Sequence, residues 1–331
     1  MLKMARHHIV PQMTLRRFAD SVDRIVMVGR TDGRRLETKA RTACAETGFY
    51  SIPTADIEEH AQAGHDPEFV EKVLAQIEGN AKRIFDCVLD GAFPLPSEDK
   101  FKLSLFLSLQ MTRDWSYREQ INELIDQLFP YYLESALTDE KIRGFLKGRD
   151  DPHDPAAIET FRNEALENPP KLRMSPSRII QQSLDSALHV TLEHLYFRSW
   201  RVLTFDSPCL VTSDHPFGYW SPPGGPEGPY GVGNAPVVFY PIDRRTALMM
   251  HLRKLPEIVQ QSGAPRAKQI NLTVATEASK WIFHHPEDDP LASLEIPSKE
   301  QFVDEVVGRR VDNNGNLREL HRLVRRSRPM G

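Results

Sequence analysis

The chain has 331 residues, 40% hydrophobic and 27% charged, and carries a formal net charge of −4. These values are ordinary for a globular protein and give enough chain for one large core or two modest ones. No apolar run approaches the ~18–20 residues that a bilayer span requires, so no membrane partner is expected.

In chain order, the start is basic but leads into His7-His8-Ile9-Val10-Pro11-Gln12 rather than into a hydrophobic leader core. Export is therefore not expected. Pro11 suits a first helical position, where its missing N–H costs nothing, and Leu15 and Phe18 then share one side of a short helix. Residues 24–30 read as a strand, Asp32-Gly33 as a turn, and residues 34–52 as a partner strand with an extended continuation. Residues 1–41 hold ten basic and four acidic groups, a net of +6, so the rest of the chain carries −10. Such an end either attracts a polyanion or phosphate, or docks on the acidic body.

Helices dominate the middle. Phe69, Val73, Ile77, Ile84 and Val88 keep the helical period up to Gly91. Ser97 to Lys100 opens a long helix over about 98–128, stopped by Pro130 and apolar on nearly all sides in its first half. Residues 132–149 predict another helix. Polar breaks follow at 150–155 and 168–177, then a helix over about 177–197 with Leu184, Leu188, Leu192 and Leu195 on one stripe.

The pattern then shortens. Residues 199–206, 208–212, 236–242 and 246–252 read as strands, and the Gly- and Pro-rich stretch 221–236 as a loop that could serve as a lid. Residues 266–283 return to helix, with His284-His285 at an exposed helix end before Pro286. The tail from 299 predicts a further helix and a basic, flexible end over about 300–331. Helices followed by short strands predict an α+β fold: a predominantly helical body with a small, mainly antiparallel sheet from the N-terminal and C-terminal parts. The expectation is one domain over 1–331 with a core at about 7–285; a division would fall near 150–175. Cys44, Cys87 and Cys209 form no Cys-x-x-Cys pair, which argues against structural zinc or disulfides and for the reducing cytoplasm.

Three stretches carry a resemblance. They are His7-His8-Ile9-Val10-Pro11-Gln12 with Leu15 and Phe18, then Leu210-Val211-Thr212-Ser213-Asp214-His215-Pro216, then Tyr240-Pro241-Ile242-Asp243 with Thr246-Ala247-Leu248. Together they resemble the uncharacterised bacterial family called domain of unknown function 4238 (DUF4238), over roughly residues 7–285. Asn271 sits where that family usually has an Asn opening a late helix, and Asp243 and its neighbours depart from its second Pro. The family has no established activity, so the resemblance constrains the fold more than the chemistry.

Several residues nevertheless form candidate constellations. His7, His8 and Gln12 flank a helix start; imidazoles suit proton transfer or metal binding, and Arg16 and Arg17 add positive charge. Asp214, after an apolar strand, could orient a His, ligate a metal or act as base, or simply form a turn with Pro216. Ser213 lacks the context of a nucleophile elbow. Gln110, Arg113, Asp114 and Tyr117 share one helix face, where a buried Arg needs Asp214, Asp114 or a bound anion as partner. Asp185, His189 and Glu193 form a weaker row, more simply read as a solvent-facing stripe. No phosphate loop, zinc helix or dinucleotide fingerprint is present.

The leading expectation is a phosphodiester-cleaving, nuclease-like hydrolase. His7, His8 and Asp214 would be catalytic, and Gln12, Gln110, Arg113, Ser213 and Asn271 substrate-binding. A divalent metal and a nucleic-acid or other phosphate-bearing partner fit that expectation. The alternative is a non-catalytic protein that binds nucleic acid, a small anion or a protein. The sequence leaves substrate, metal and oligomeric state open.

Overall fold

The computed structural model describes residues 6–47, 69–170, 172–225, 230–297, 300–311 and 317–327. The chain divides into two compact units, 1–117 with 176–331 and 118–175. Both sheets that follow belong to the first. The fold is α+β, 45% helical and 18% strand, with two mainly antiparallel sheets.

A short strand β1 (Arg6–His8) pairs antiparallel with β4 (Ala45–Thr47). Between them come helix α1 (Gln12–Arg16) and the hairpin β2 (Arg24–Gly29) and β3 (Arg35–Lys39), which turns at Asp32-Gly33. Gly33 has φ +66°, the left-handed region that favours glycine at a tight turn. Helices α2 (Phe69–Leu89) and α3 (Ser97–Thr112) follow, and α3 is buried almost all round from Leu103 to Thr112. The expected single helix over 98–128 is instead broken at Arg113-Asp114, and α4 (Trp115–Ala136) resumes beyond it and continues through Pro130. The break is stabilised by Asp114, whose Oδ1 accepts from Tyr117 N at 2.8 Å as an N-terminal cap does.

The second unit holds the rest of α4 with α5 (Asp139–Lys147) and α6 (Pro155–Glu167). Thr138 and Asp154 cap these two helices through Lys141 N and Ala157 N. Pro155 stands in the first turn of α6, where proline is tolerated. Ile142, Leu146 and Ile158 form a small core of their own. The polar stretch 150–155 is thus a helix start rather than only a break.

Back in the first unit, α7 (Pro176–Ser186) runs into one π-helical turn at Ala187–Thr191 and then α8 (Leu192–Tyr196). The wider turn adds a residue and rotates the stripe. Leu195 is sealed while Leu188 is 46% exposed, so the four leucines do not share one face.

The larger sheet has order β10-β5-β9-β8-β7, from β5 (Ser199–Thr204), β7 (Gly218–Trp220), β8 (Val237–Asp243), β9 (Thr246–His251) and β10 (Val259–Gln261). Only β10 and β5 run parallel. Pro241 is accommodated because β7 pairs only Val237 to Phe239; at Pro241 the outer side of β8 is an edge that lacks no ladder bond. The smaller sheet has order β3-β2-β11-β6, joining β6 (Thr212–Ser213) and β11 (Trp281–His284) to the N-terminal hairpin. It is the antiparallel sheet expected from the two ends of the chain.

Helix α9 (Ala264–Glu277) contributes Ala267, Ile270, Val274 and Ala275 to the main core. It stops at Ala278, so the expected helix to 283 is corrected: Trp281–His284 is a strand between β2 and β6. His284 and His285 are accordingly buried, not an exposed helix end. Beyond 299 the chain forms a hairpin, β12 (Glu300–Val311) and β13 (Leu317–Ser327), rather than a helix. The β-branched Val303, Val306, Val307 and Val311 of β12 favour strand over helix. Among the described residues no helix is long and apolar enough to cross a membrane, and Cys44, Cys87 and Cys209 are free thiols.

Candidate functional site

Two polar segments meet where α3 breaks and β6 ends. Asp114 stands in the break, and His215 follows the two-residue strand β6. His215 Nδ1 is hydrogen-bonded to Asp114 Oδ2 across 101 residues of chain. The Asp114 side chain is fully buried, and that of His215 keeps 8% of its surface. Burial alone would push the imidazole down, but the facing Asp114 carboxylate outweighs it and holds His215 above the usual histidine value. Phe217 and Tyr219 wall the ring, with centroids 5.4 and 6.4 Å away. Among the described residues no group hydrogen-bonds its Nε2.

A carboxylate bound to one imidazole nitrogen fixes the tautomer and ring orientation. The second nitrogen is then the one that can give or take a proton. Ser213 supports the turn: its hydroxyl donates to His215 O at 2.6 Å, and its Oγ accepts from His215 N at 3.2 Å.

Asp214 points the other way. It is fully buried and accepts three backbone N–H groups, from Ser279 at 2.7 Å, Lys280 at 2.6 Å and Trp281 at 3.0 Å. Burial pushes its pKa up to about 6 against the lowering effect of these amides, and the Asp114 carboxylate adds to the rise. The carboxylate thus clamps the turn that ends α9 and starts β11. Lys280, exposed on that turn, places its Nζ 4.2 Å from the Trp115 ring centroid. Trp115 Nε1 donates in turn to Glu46 of β4 at 2.7 Å.

Gln110 and Arg113 lie behind the break. Gln110 Nε2 donates to Ile9 O at 3.2 Å, and Arg113 donates to Gln110 Oε1 at 2.9 Å and to Glu78 Oε1 at 2.8 Å. The buried guanidinium therefore finds its carboxylate on α2. His8 donates from Nε2 to Arg41 O at 3.0 Å, and the Gln12 amide lies 3.3 Å from the same nitrogen. The side chain of His7 lies outside the described residues; its backbone pairs with Glu46. Asn271 accepts from Val211 N at 3.1 Å and donates to Cys209 O at 2.7 Å, clasping the segment before β6.

Through Gln110 and Ile9, the segment after His8 is thus tied to the helix that carries Asp114. Ser213 and Asp214 flank or support His215, and Asn271 braces the segment leading to it. From the sequence, Asp114 is expected only as a candidate partner of Arg113, and His215 has no assigned role. The signal was there in outline: an Asp at the end of an otherwise apolar helix and a His just past an apolar strand.

Several arginines of the basic N-terminal region are paired on the protein itself. Arg16 meets Asp23, Arg17 meets Asp86, Arg24 meets Asp20 and Glu37, and Arg35 meets Asp289. Arg30 donates to the carbonyls of Thr276 and Pro297. Of these carboxylates, only Asp86 and Asp289 belong to the acidic remainder of the chain, so docking on the body accounts for Arg17 and Arg35 alone. Asp185, His189 and Glu193 are exposed, and among the described residues no group of three or more His, Cys, Asp or Glu could hold a metal. The Gly- and Pro-rich loop is tied at its end by buried Arg198, which donates to Val232 O and Ala235 O.

No curated protein and no solved structure matches the chain. A family model does: the one described as protein of unknown function DUF4238 matches residues 6–288, a span that includes β1, the α3–α4 break, β6 and β11. On that match, the chain belongs to the DUF4238 family.

Proposed function

We propose that the protein is an acid–base hydrolase acting on phosphodiesters, with His215 as the proton-transfer group and Asp114 as the residue that orients it. The observation that carries this reading is the buried Asp114–His215 pair with Nε2 left without a partner among the described residues. His215 would take the proton of an attacking water as its oxygen bonds to phosphorus, then return it to the leaving alkoxide as the P–O bond breaks. Asp114 would stabilise the imidazolium between the two steps. Exposed Lys280 on the adjoining turn supplies a positive charge for an anionic substrate. We give the acid–base role to His215 rather than His8 because a carboxylate orients it, whereas the His8 ring faces a carbonyl and an amide. A divalent metal is compatible with this chemistry and is tested with it.

The second reading is a non-catalytic protein that binds nucleic acid, another anion or a protein. What favours it is the saturation of Asp214 and Asn271 by backbone groups, as in a structural network.

The test is incubation of the full chain with single- and double-stranded RNA and DNA, with and without magnesium or manganese. Cleavage is expected, and His215→Ala should lower it by about 10²–10⁴-fold. Free imidazole should restore part of the loss. Cleavage unchanged in His215→Ala would sink the assignment, and binding without cleavage in the unaltered protein would favour the second reading.

A further inference from the structure

A separate groove lies against β7 and α9. Its volume is about 500 Å³, and its lining includes Trp220, Gln260, Gln261, Pro265, Arg266 and Gln269. Arg266 sits with its guanidinium carbon 4.9 Å from the Trp220 ring centroid and donates to Gln269 Oε1. Burial pushes its pKa below the ordinary guanidinium value, and no acidic group offsets that fall. Asp206 is held by Gln261 Nε2 at 2.7 Å. Among the described residues no carboxylate pairs with Arg266, unlike Arg17, Arg113 or Arg244 in this chain.

The surroundings reinforce this imbalance. His251 Nε2 is buried with no partner among the described residues. Burial, together with the charges of Arg201, Arg266 and Arg198, lowers His251 to about 4. A half-buried guanidinium stacked on tryptophan and flanked by carboxamides, with no counter-ion among the described residues, lacks there the group that normally compensates its desolvation.

We propose that this groove binds a small molecule that presents an oxyanion, carboxylate or phosphate, to Arg266 and lays an apolar or aromatic part against Trp220 and Pro265. The guanidinium fork matches either oxyanion in a bidentate fashion. Tyr219 and Trp220 are successive residues of β7 and so face opposite sides of the sheet. Tyr219 borders His215, whereas Trp220 packs beside Phe239 at 6.3 Å. The groove is therefore distinct from the acid–base pair and does not depend on its function.

The experiment uses benzoate, phenyl phosphate and inorganic phosphate as probes of the full chain. Binding is followed by calorimetry and by the indole N–H signals of the ¹⁵N-labelled protein, with the Trp220 signal assigned from Trp220→Phe. Benzoate or phenyl phosphate should bind saturably and shift the Trp220 signal; their ranking separates a carboxylate from a phosphate ligand. Inorganic phosphate should bind more weakly than phenyl phosphate. Arg266→Gln should weaken the binding by about tenfold or more, roughly the loss of one charge-assisted pair, and Arg266→Lys by less. Three results would each overturn the proposal: no saturable binding up to about 10 mM, a Trp220 signal that does not move, or affinity unchanged in Arg266→Gln. Should Arg266→Gln lower the melting temperature, the Trp220 shift in the unaltered protein decides alone.

Discussion

Asp114 and Asp214 both lie fully buried, one on either side of the turn that carries His215, and they are satisfied by different chemistry. Asp214 takes three amides of the Ser279–Trp281 turn, groups that cannot change their protonation. Asp114 takes one amide, Tyr117 N, and one imidazole, which can. The first arrangement fixes a backbone path, while the second leaves a movable proton next to a residue that retains some surface. Two aspartates of equal burial can thus serve architecture and chemistry respectively, and what decides is the kind of partner rather than the depth.

The sharpest way to break this contrast is Asp214→Ala. Three buried amides would lose their acceptor, so unfolding by denaturant should show a loss of about 3–5 kcal/mol. A loss below about 1 kcal/mol would mean that the turn holds without the clamp.

The next test is the dependence of stability on pH. Asp214 keeps its proton in the folded state up to about 6, against an ordinary value of 3.8. Between those values the folded state holds more protons than the unfolded one, so this group's contribution falls as pH rises. His215 is also raised, so its contribution is full below the ordinary imidazole value of 6.5 and is lost as pH climbs through the folded value. Asp214→Asn should flatten the lower window, and Asp114→Asn the upper one, when each is compared with the unaltered protein. A titration of His215 by NMR that is unmoved by Asp114→Asn would dissolve the pair as an electrostatic unit.

The smallest expected effect concerns the π-helical turn. Leu188→Ala should cost under about 0.5 kcal/mol, because that side chain is exposed. Leu195→Ala should cost about 2–5 kcal/mol. Equal losses would restore the uninterrupted stripe.

How much of this could be read in the chain beforehand depends on the range of the contacts. The β2–β3 hairpin was legible because its turn residues and its strand pattern are local. The α+β class and the origin of the small sheet in both ends of the chain followed from element order. The break at Arg113-Asp114 was not legible: the segment is helix-forming throughout, and the partners that stabilise the break come from Glu78 and His215. Likewise residues 278–284 continue a helical pattern, and the turn that interrupts it is held by Asp214 more than sixty residues earlier. At the candidate site the two segments that meet, the end of α3 and residues 212–216, were both visible as polar clusters next to apolar elements. Which of two adjacent residues, Asp214 or His215, turned towards Asp114 was a matter of tertiary geometry.

The place of β11 in the small sheet has a consequence for synthesis. Met27 of β2 finds its neighbour at Phe283, so the inner edge of the first hairpin stays unpaired until most of the polypeptide has emerged. Through that interval Ile25 and Val28, sealed in the finished protein, belong to an open strand edge of the sort that recruits other nascent chains. Ribosomal delay or premature release after the β2–β3 hairpin and before Trp281 would therefore leave that edge open to pairing with another chain.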